Sequence, residues 1–129
     1  MSPSPAPTIL VADDEHALLG LMGRILERAG YRVLRALDGD EALELFRSAS
    51  GAIAAAILDV TLPPAGGLSA LREMRATQPD LGVVLVSGAS LDAETREVLL
   101  ACGGTFVSKP FSPRALTQAL DEVRSDGTH

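Results

Sequence analysis

The chain has 129 residues, 11 Lys+Arg against 17 Asp+Glu for a formal net charge of −6 at pH 7, and a single cysteine. That length suits one domain with its own core. The negative balance speaks against direct nucleic-acid binding, which relies on clustered Lys and Arg, and one cysteine excludes an intramolecular disulfide and fits a reducing compartment.

The opening MSPSPAPT has neither the basic nor the apolar region of a secretory signal, so residues 1–7 are expected to be a flexible tail. TILVA, from Thr8, reads as a short strand buried on both faces. Leu18, Leu21, Met22, Ile25, Leu26 and Ala29 then form one helical stripe, which Gly30 stops. YRVLRA alternates like a strand, and DGDEALELFRSAS passes from turn residues into strong helix formers. AIAAAILD is alanine-rich, and alanine favours helices. It is read as a strand from its position between Gly51 and Pro63, which leaves too little room for a helix with its connections. This apolar run is also far short of the ~20 residues that cross a membrane, so a soluble, cytoplasmic protein is expected.

GLSALREMRATQ is a third helix with Leu68, Leu71 and Met74 as its buried row, and GVVLVS is the clearest buried strand. Thr95, Val98, Leu99 and Cys102 follow helical spacing up to Gly103 and Gly104. TFVS makes a fifth strand. The last helix has Ser112 as N-cap, Pro113 in its first turn, and Leu116, Ala119, Leu120 and Val123 on its buried side. Residues 125–129 are expected to be a second tail.

Five strands alternating with five helices imply an open, doubly wound parallel α/β sheet, with ligands beyond the carboxyl ends of the strands. Asp13 and Asp14 follow strand one, Asp59 ends strand three, Ser87 strand four, and Lys109 strand five. The neighbouring acids Asp13, Asp14 and Glu15 at a helix start can simply interact with its free N–H groups. Three carboxylates meeting in one crevice need more, and they make a suitable oxygen cage for Mg²⁺. Lys109 adds a positive charge and Ser87 a hydroxyl donor, both suited to an incoming phosphoryl group. Asp59, in the middle of the set, is the natural nucleophile. His16 is expected to face solvent, Cys102 to be a small apolar residue near a helix end, and Phe106 to lie in the core. The chain lacks a G-x-G-x-x-G fingerprint and a Walker A sequence, which argues against a nucleotide binder.

The DD pair at 13 and 14, LDVTLP around Asp59 with Pro63, VSG with Ser87, and FVSKPF with Lys109 and Pro110 stand at four successive strand ends. In this order the chain resembles a response-regulator receiver domain of two-component signalling, from Thr8 to about Arg124. The resemblance implies a (βα)5 flavodoxin-like fold with strand order 2-1-3-4-5 over residues 8–124. It implies that Asp59 accepts a phosphoryl group from a phosphohistidine on a sensor histidine kinase or phosphotransfer protein. Mg²⁺ would be held by Asp14, Asp59 and the backbone carbonyl of Thr61, with Asp13 acting largely through water. Lys109 would pair with the phosphoryl oxygens, Ser87 would move toward them, and Phe106 would occupy the aromatic switch position. Pro110 would follow a cis peptide bond, with Pro63 and Gly67 as structural positions. Thr61 and Ala89 would tune self-dephosphorylation, so the protein would catalyse its own modification without being a conventional enzyme.

Two segments depart from the family pattern. LPPAGG replaces the usual loop after the acceptor, and CGGTF lacks the acids that precede strand five, which argues against a charge-paired dimer. The expectation is a stand-alone monomer or weak dimer that presents its last two helices and fifth strand to an unknown protein target, without contacting nucleic acid or membrane. The alternative is a phosphorylation-independent interaction module on the same fold.

Overall fold

A computed structural model describes residues 6–49 and 51–124. Apart from Ala6 and Pro7, both expected tails lie outside the described residues. The elements run β1 (Thr8–Ala12), α1 (His16–Arg28), β2 (Arg32–Ala36), α2 (Gly39–Ser48), β3 (Ile53–Asp59), α3 (Gly67–Thr77), β4 (Gly82–Ser87), α4 (Ala93–Ala101), β5 (Thr105–Ser108) and α5 (Pro113–Val123). All strand pairs are parallel, in the order β2-β1-β3-β4-β5. The chain leaves β1 toward β2 on one side and β3 lies on the other, so a crevice opens between the carboxyl ends of β1 and β3.

Alternation along each strand divides the core into two layers. Ile9, Val11, Ala55, Ile57, Val84, Val86 and Val107 pack under α1 and α5. Leu10, Ala12, Ala56, Leu58, Val83 and Leu85 pack under α2, α3 and α4. β3 is a strand despite its alanines because it sits between β1 and β4 with helices on both faces. Burial there outweighs local propensity.

Three expectations need correction. The buried side of α1 is Leu19, Met22, Gly23 and Leu26, while Leu21 is exposed and Leu18 and Ile25 are only partly covered. Gly23 faces β2 because the Arg35 guanidinium lies where a side chain would go, and a count of apolar residues misses a packing position filled by glycine. Phe106 was expected in the core but is 38 % exposed. It pairs with Leu85 on the edge strand β5, beyond the cover that α4 provides through Thr95 and Leu99. Leu68 in α3 is half-buried, with Ala70, Leu71 and Met74 carrying the contact.

At the amino end of the sheet, Tyr31 Oη donates to Asp121 Oδ1 at 3.0 Å and Arg124 Nη1 donates to Tyr31 Oη at 2.7 Å. The Arg124 guanidinium also lies 5.4 Å from the centre of the Tyr31 ring, a cation–π contact. Gly82 opens the start of β4 so that the Val123 carbonyl can approach where a Cβ would collide. These contacts anchor the last turn of α5 against the α1–β2 junction.

Candidate functional site

The fold brings four of the expected residues to one point. Asp13 directly follows β1, with its N–H donating to Ala36 O at 3.1 Å, and is fully buried. Asp59 ends β3 and is 3 % exposed. Lys109 follows β5, and its N–H donates to Ser87 O at 2.8 Å, which continues the β4–β5 ladder and aims the side chain over the crevice. Asp14 is exposed at the rim. The Lys109–Pro110 peptide bond is cis, as expected, and a second cis bond joins Pro63 and Pro64. No sequence signal separated that bond from an ordinary Pro-Pro turn.

Lys109 Nζ donates to Asp59 Oδ2 at 2.9 Å and lies 3.2 Å from Asp13 Oδ2 and 3.4 Å from Glu15 Oε1. The other Asp59 oxygen accepts from Thr61 N at 2.9 Å and Thr61 Oγ1 at 3.0 Å. Asp13 Oδ1 accepts from Glu15 N at 2.8 Å. Asp13 Oδ2 is buried and lies 3.2 Å from the Lys109 ammonium, with no hydrogen-bond partner among the described residues.

The two buried aspartates respond in opposite directions. Burial pushes the Asp13 carboxyl up, the Asp59 charge adds to this, and the Glu15 N–H and the Lys109 ammonium offset only part of it. Burial would also raise Asp59, but its hydrogen bonds from Lys109 and Thr61 prevail and hold it below the usual carboxylate range. Burial alone would pull Lys109 down. The Asp59 hydrogen bond and the Asp13 charge outweigh it, and the ammonium is held above its ordinary range.

One carboxylate oxygen from each of Asp13, Asp14 and Asp59 lies within 4.8 Å of the other two. An all-oxygen, acidic set of this size fits a hard divalent cation, and the Asp13 oxygen, paired with the Lys109 charge but without a hydrogen bond among the described residues, leaves the cluster room to accept one. Gly67 brings the start of α3 against the end of β3: its N–H donates to Val60 O at 2.9 Å, and a Cβ there would strike the Asp59 carbonyl. Pro63 O accepts from Gly39 N at 2.7 Å, tying the loop after Asp59 to α2.

Other expected residues stand apart from this cluster. The Ser87 hydroxyl donates to Ala89 O at 2.7 Å and accepts from Ala89 N at 3.1 Å, a local turn rather than a contact with Asp59. His16 is exposed, and Cys102 is half-buried at the end of α4 with Sγ donating to Leu99 O at 3.3 Å. Glu15 was read only as one of three neighbouring acids, and its contact with Lys109 emerges from the structure. One clue was that Lys109 is the chain's sole lysine.

A doubly wound parallel sheet with an acidic cluster and a lysine at its switch point defines a class of α/β proteins that hold charged ligands beyond their strand ends. Within that class, the chain belongs to the response regulator receiver domain family, whose description matches residues 9–121. Over 120 residues it is 35 % identical to the sensor kinase CckA of Brucella abortus, covering 93 % of this chain and 13 % of the kinase. Over 116 residues it is 28 % identical to the chemotaxis protein CheY of Thermotoga maritima, covering 89 % and 95 % of the two chains. Its structure is similar to a CheY-like response regulator receiver domain protein from Methanospirillum hungatei JF-1, with a TM-score of 0.82 at 28 % identity over 91 % and 92 % of the chains. The chain thus spans a small part of one relative and nearly all of another. No helix among the described residues is long and apolar enough to cross a membrane.

Proposed function

We propose that the protein is a phosphoaccepting switch in which Asp59 takes a phosphoryl group from a phosphohistidine on a histidine kinase or phosphotransfer protein. The observation that carries this reading is the Lys109 ammonium between buried Asp59 and Asp13, with Asp14 beside them. An Asp59 oxygen attacks phosphorus as the P–N bond breaks, and the imidazole, already protonated on its other ring nitrogen, departs with the bonding electrons as a neutral base. Thr61 orients the carboxylate through two hydrogen bonds. Lys109 moves from Asp59 to the new phosphoryl oxygens, and Ser87 leaves its turn with Ala89 to donate to them. Asp14, Asp59 and the Thr61 carbonyl would hold Mg²⁺, with Asp13 acting through water, and the ion would supply charge neutralisation at the phosphoryl oxygens.

Water attacking the same acyl phosphate resets the protein, with Ala89 leaving room for it, so the chain catalyses its own modification without turning over a separate substrate. The changed Ser87 and Phe106 positions alter the α4, β5 and α5 face offered to a downstream protein in the cytoplasm. The test is intact mass after incubation with a small phosphodonor, with and without Mg²⁺, beside Asp59→Asn. A Mg²⁺-dependent gain of one phosphoryl group, absent in the variant, is expected. No gain in the wild type overturns the reading in favour of an interaction module that works unmodified.

A further inference from the structure

Glu15 occupies the N-cap of α1, with φ −86° and ψ 108°, yet its side chain caps nothing. The residues in that position on α2, α4 and α5 all behave conventionally: Asp38 accepts from Glu41 N, Asp92 from Thr95 N and Ser112 from Ala115 N. Glu15 instead turns its carboxylate to Lys109, 3.4 Å away, while its own N–H is fixed on Asp13. Three carboxylates surround the ammonium, and two are buried. The Glu15 side chain is 66 % exposed and is the one that faces outward. With Leu18, Leu21, Lys109, Pro110 and Phe111 it lines a cavity of about 350 Å³ beside the site.

A donor's leaving group must lie opposite the attacking Asp59 oxygen, on the solvent side of phosphorus. The exposed Glu15 carboxylate stands on the solvent side of the Lys109 ammonium, whereas Asp13 and Asp59 are buried beneath it. We propose that Glu15 sets which phosphodonors the site accepts, favouring those that leave from a protonated nitrogen over those that leave as a carboxylate. This rests on the phosphoacceptor reading of Asp59.

The charge balance gives the direction. With a nitrogen donor, an Asp59 O–P bond forms as the P–N bond breaks, and the protonated nitrogen takes the electron pair and departs as a neutral base. At the transition state the nitrogen still carries part of its positive charge, and a nearby carboxylate stabilises it relative to the free donor in water, so the second-order rate from free donor rises. With an acyl phosphate, the P–O bond breaks and the carboxylate departs with the pair, so negative charge grows beside Glu15. One charge therefore helps the first reaction and hinders the second. Glu15 touches neither Asp59 nor phosphorus, so it is a positioning and selecting residue.

The experiment compares phosphoramidate with acetyl phosphate as donors, in Mg²⁺ at matched ionic strength, following the rate of mass gain in wild type, Glu15→Gln, Glu15→Asp and a remote control, Glu44→Gln. The phosphoramidate to acetyl phosphate rate ratio is expected to fall about three-fold in Glu15→Gln, as for one unit charge at roughly 8 Å in a partly aqueous setting, and the difference should shrink at high salt. Glu15→Asp should keep most of the wild-type ratio, and Glu44→Gln all of it. An unchanged ratio in Glu15→Gln, or equal slowing with both donors, overturns the inference while leaving the phosphoacceptor reading intact. Absence of any mass gain in the wild type with either donor overturns both.

Discussion

The two ends of the sheet handle polar groups in opposite ways. At the amino end, Tyr31, Asp121 and Arg124 bond to one another, Gln78 Nε2 donates to Ile53 O at 3.0 Å, and Arg75 Nη1 donates to Leu81 O at 2.7 Å. Donors and acceptors there are matched, as expected where polar groups serve only the fold. At the carboxyl end, one ammonium faces Asp13, Glu15 and Asp59, and a buried carboxylate oxygen has no hydrogen bond among the described residues. The same sheet therefore has one saturated end and one with electrostatic capacity left over. Capacity of this kind is a common mark of a functional site.

Substitutions at each end test this contrast. The largest effect should come from Lys109→Met, which leaves two buried carboxylates with no cation between them. Removing one partner of a buried pair costs on the order of 3–5 kcal/mol, so urea unfolding at neutral pH should show a loss of that order. Mg²⁺ should restore part of it, as should acid, because protonation removes the repulsion. Equal loss with and without Mg²⁺ would show that the cluster has no capacity for the ion.

Tyr31→Phe removes two hydrogen bonds at the saturated end and should cost about 1–2 kcal/mol. Its phosphoryl uptake, read by intact mass, should match the wild type. A slowed uptake would mean that the two ends are not independent.

The smallest effect has the opposite sign. Asp13→Asn removes one of the crowded acids and should stabilise the Mg²⁺-free protein by about 1 kcal/mol, while reducing the gain in melting temperature that Mg²⁺ gives. It should also change the acid limb. Asp13 is held above its ordinary value of 3.8, so its stabilising contribution is full below 3.8 and is lost as pH rises through the folded value. Asp59 is held below 3.8, so its contribution is present above that pH and is lost as pH falls through its folded value. In the wild type the two oppose each other. Without Asp13, stability should fall more steeply on acidification, as measured by denaturant midpoints across the acid range.

Much of this could be read from the sequence because strand ends are easy to see. An apolar run followed by Asp13, Asp59, Ser87 or Lys109 places that residue at the rim without any knowledge of packing. β3 was legible only from its neighbours, since its alanines argue for a helix when taken alone. The facing of α1 was misjudged because Gly23 and Arg35 decide it together, across a helix and a strand, and neither belongs to an apolar pattern. Phe106 was misplaced because an edge strand has fewer helices to cover it than its composition suggests. The position of Glu15 was beyond sequence reading, since it depends on which of two partners, a helix N–H or a distant ammonium, claims one side chain.

The clasp at the end of α5 has a mechanical consequence. Its far end is pinned by Tyr31 and Arg124, whereas its near end starts at Ser112, three residues after Lys109. Eleven residues at about 1.5 Å each make an arm of roughly 16 Å. If the lysine carries the near end about 1 Å with it, the arm swings by about 4° around a fixed fulcrum. Displacement is then greatest beside Ser112 and fades toward Arg124, so a partner senses an angle rather than a translation.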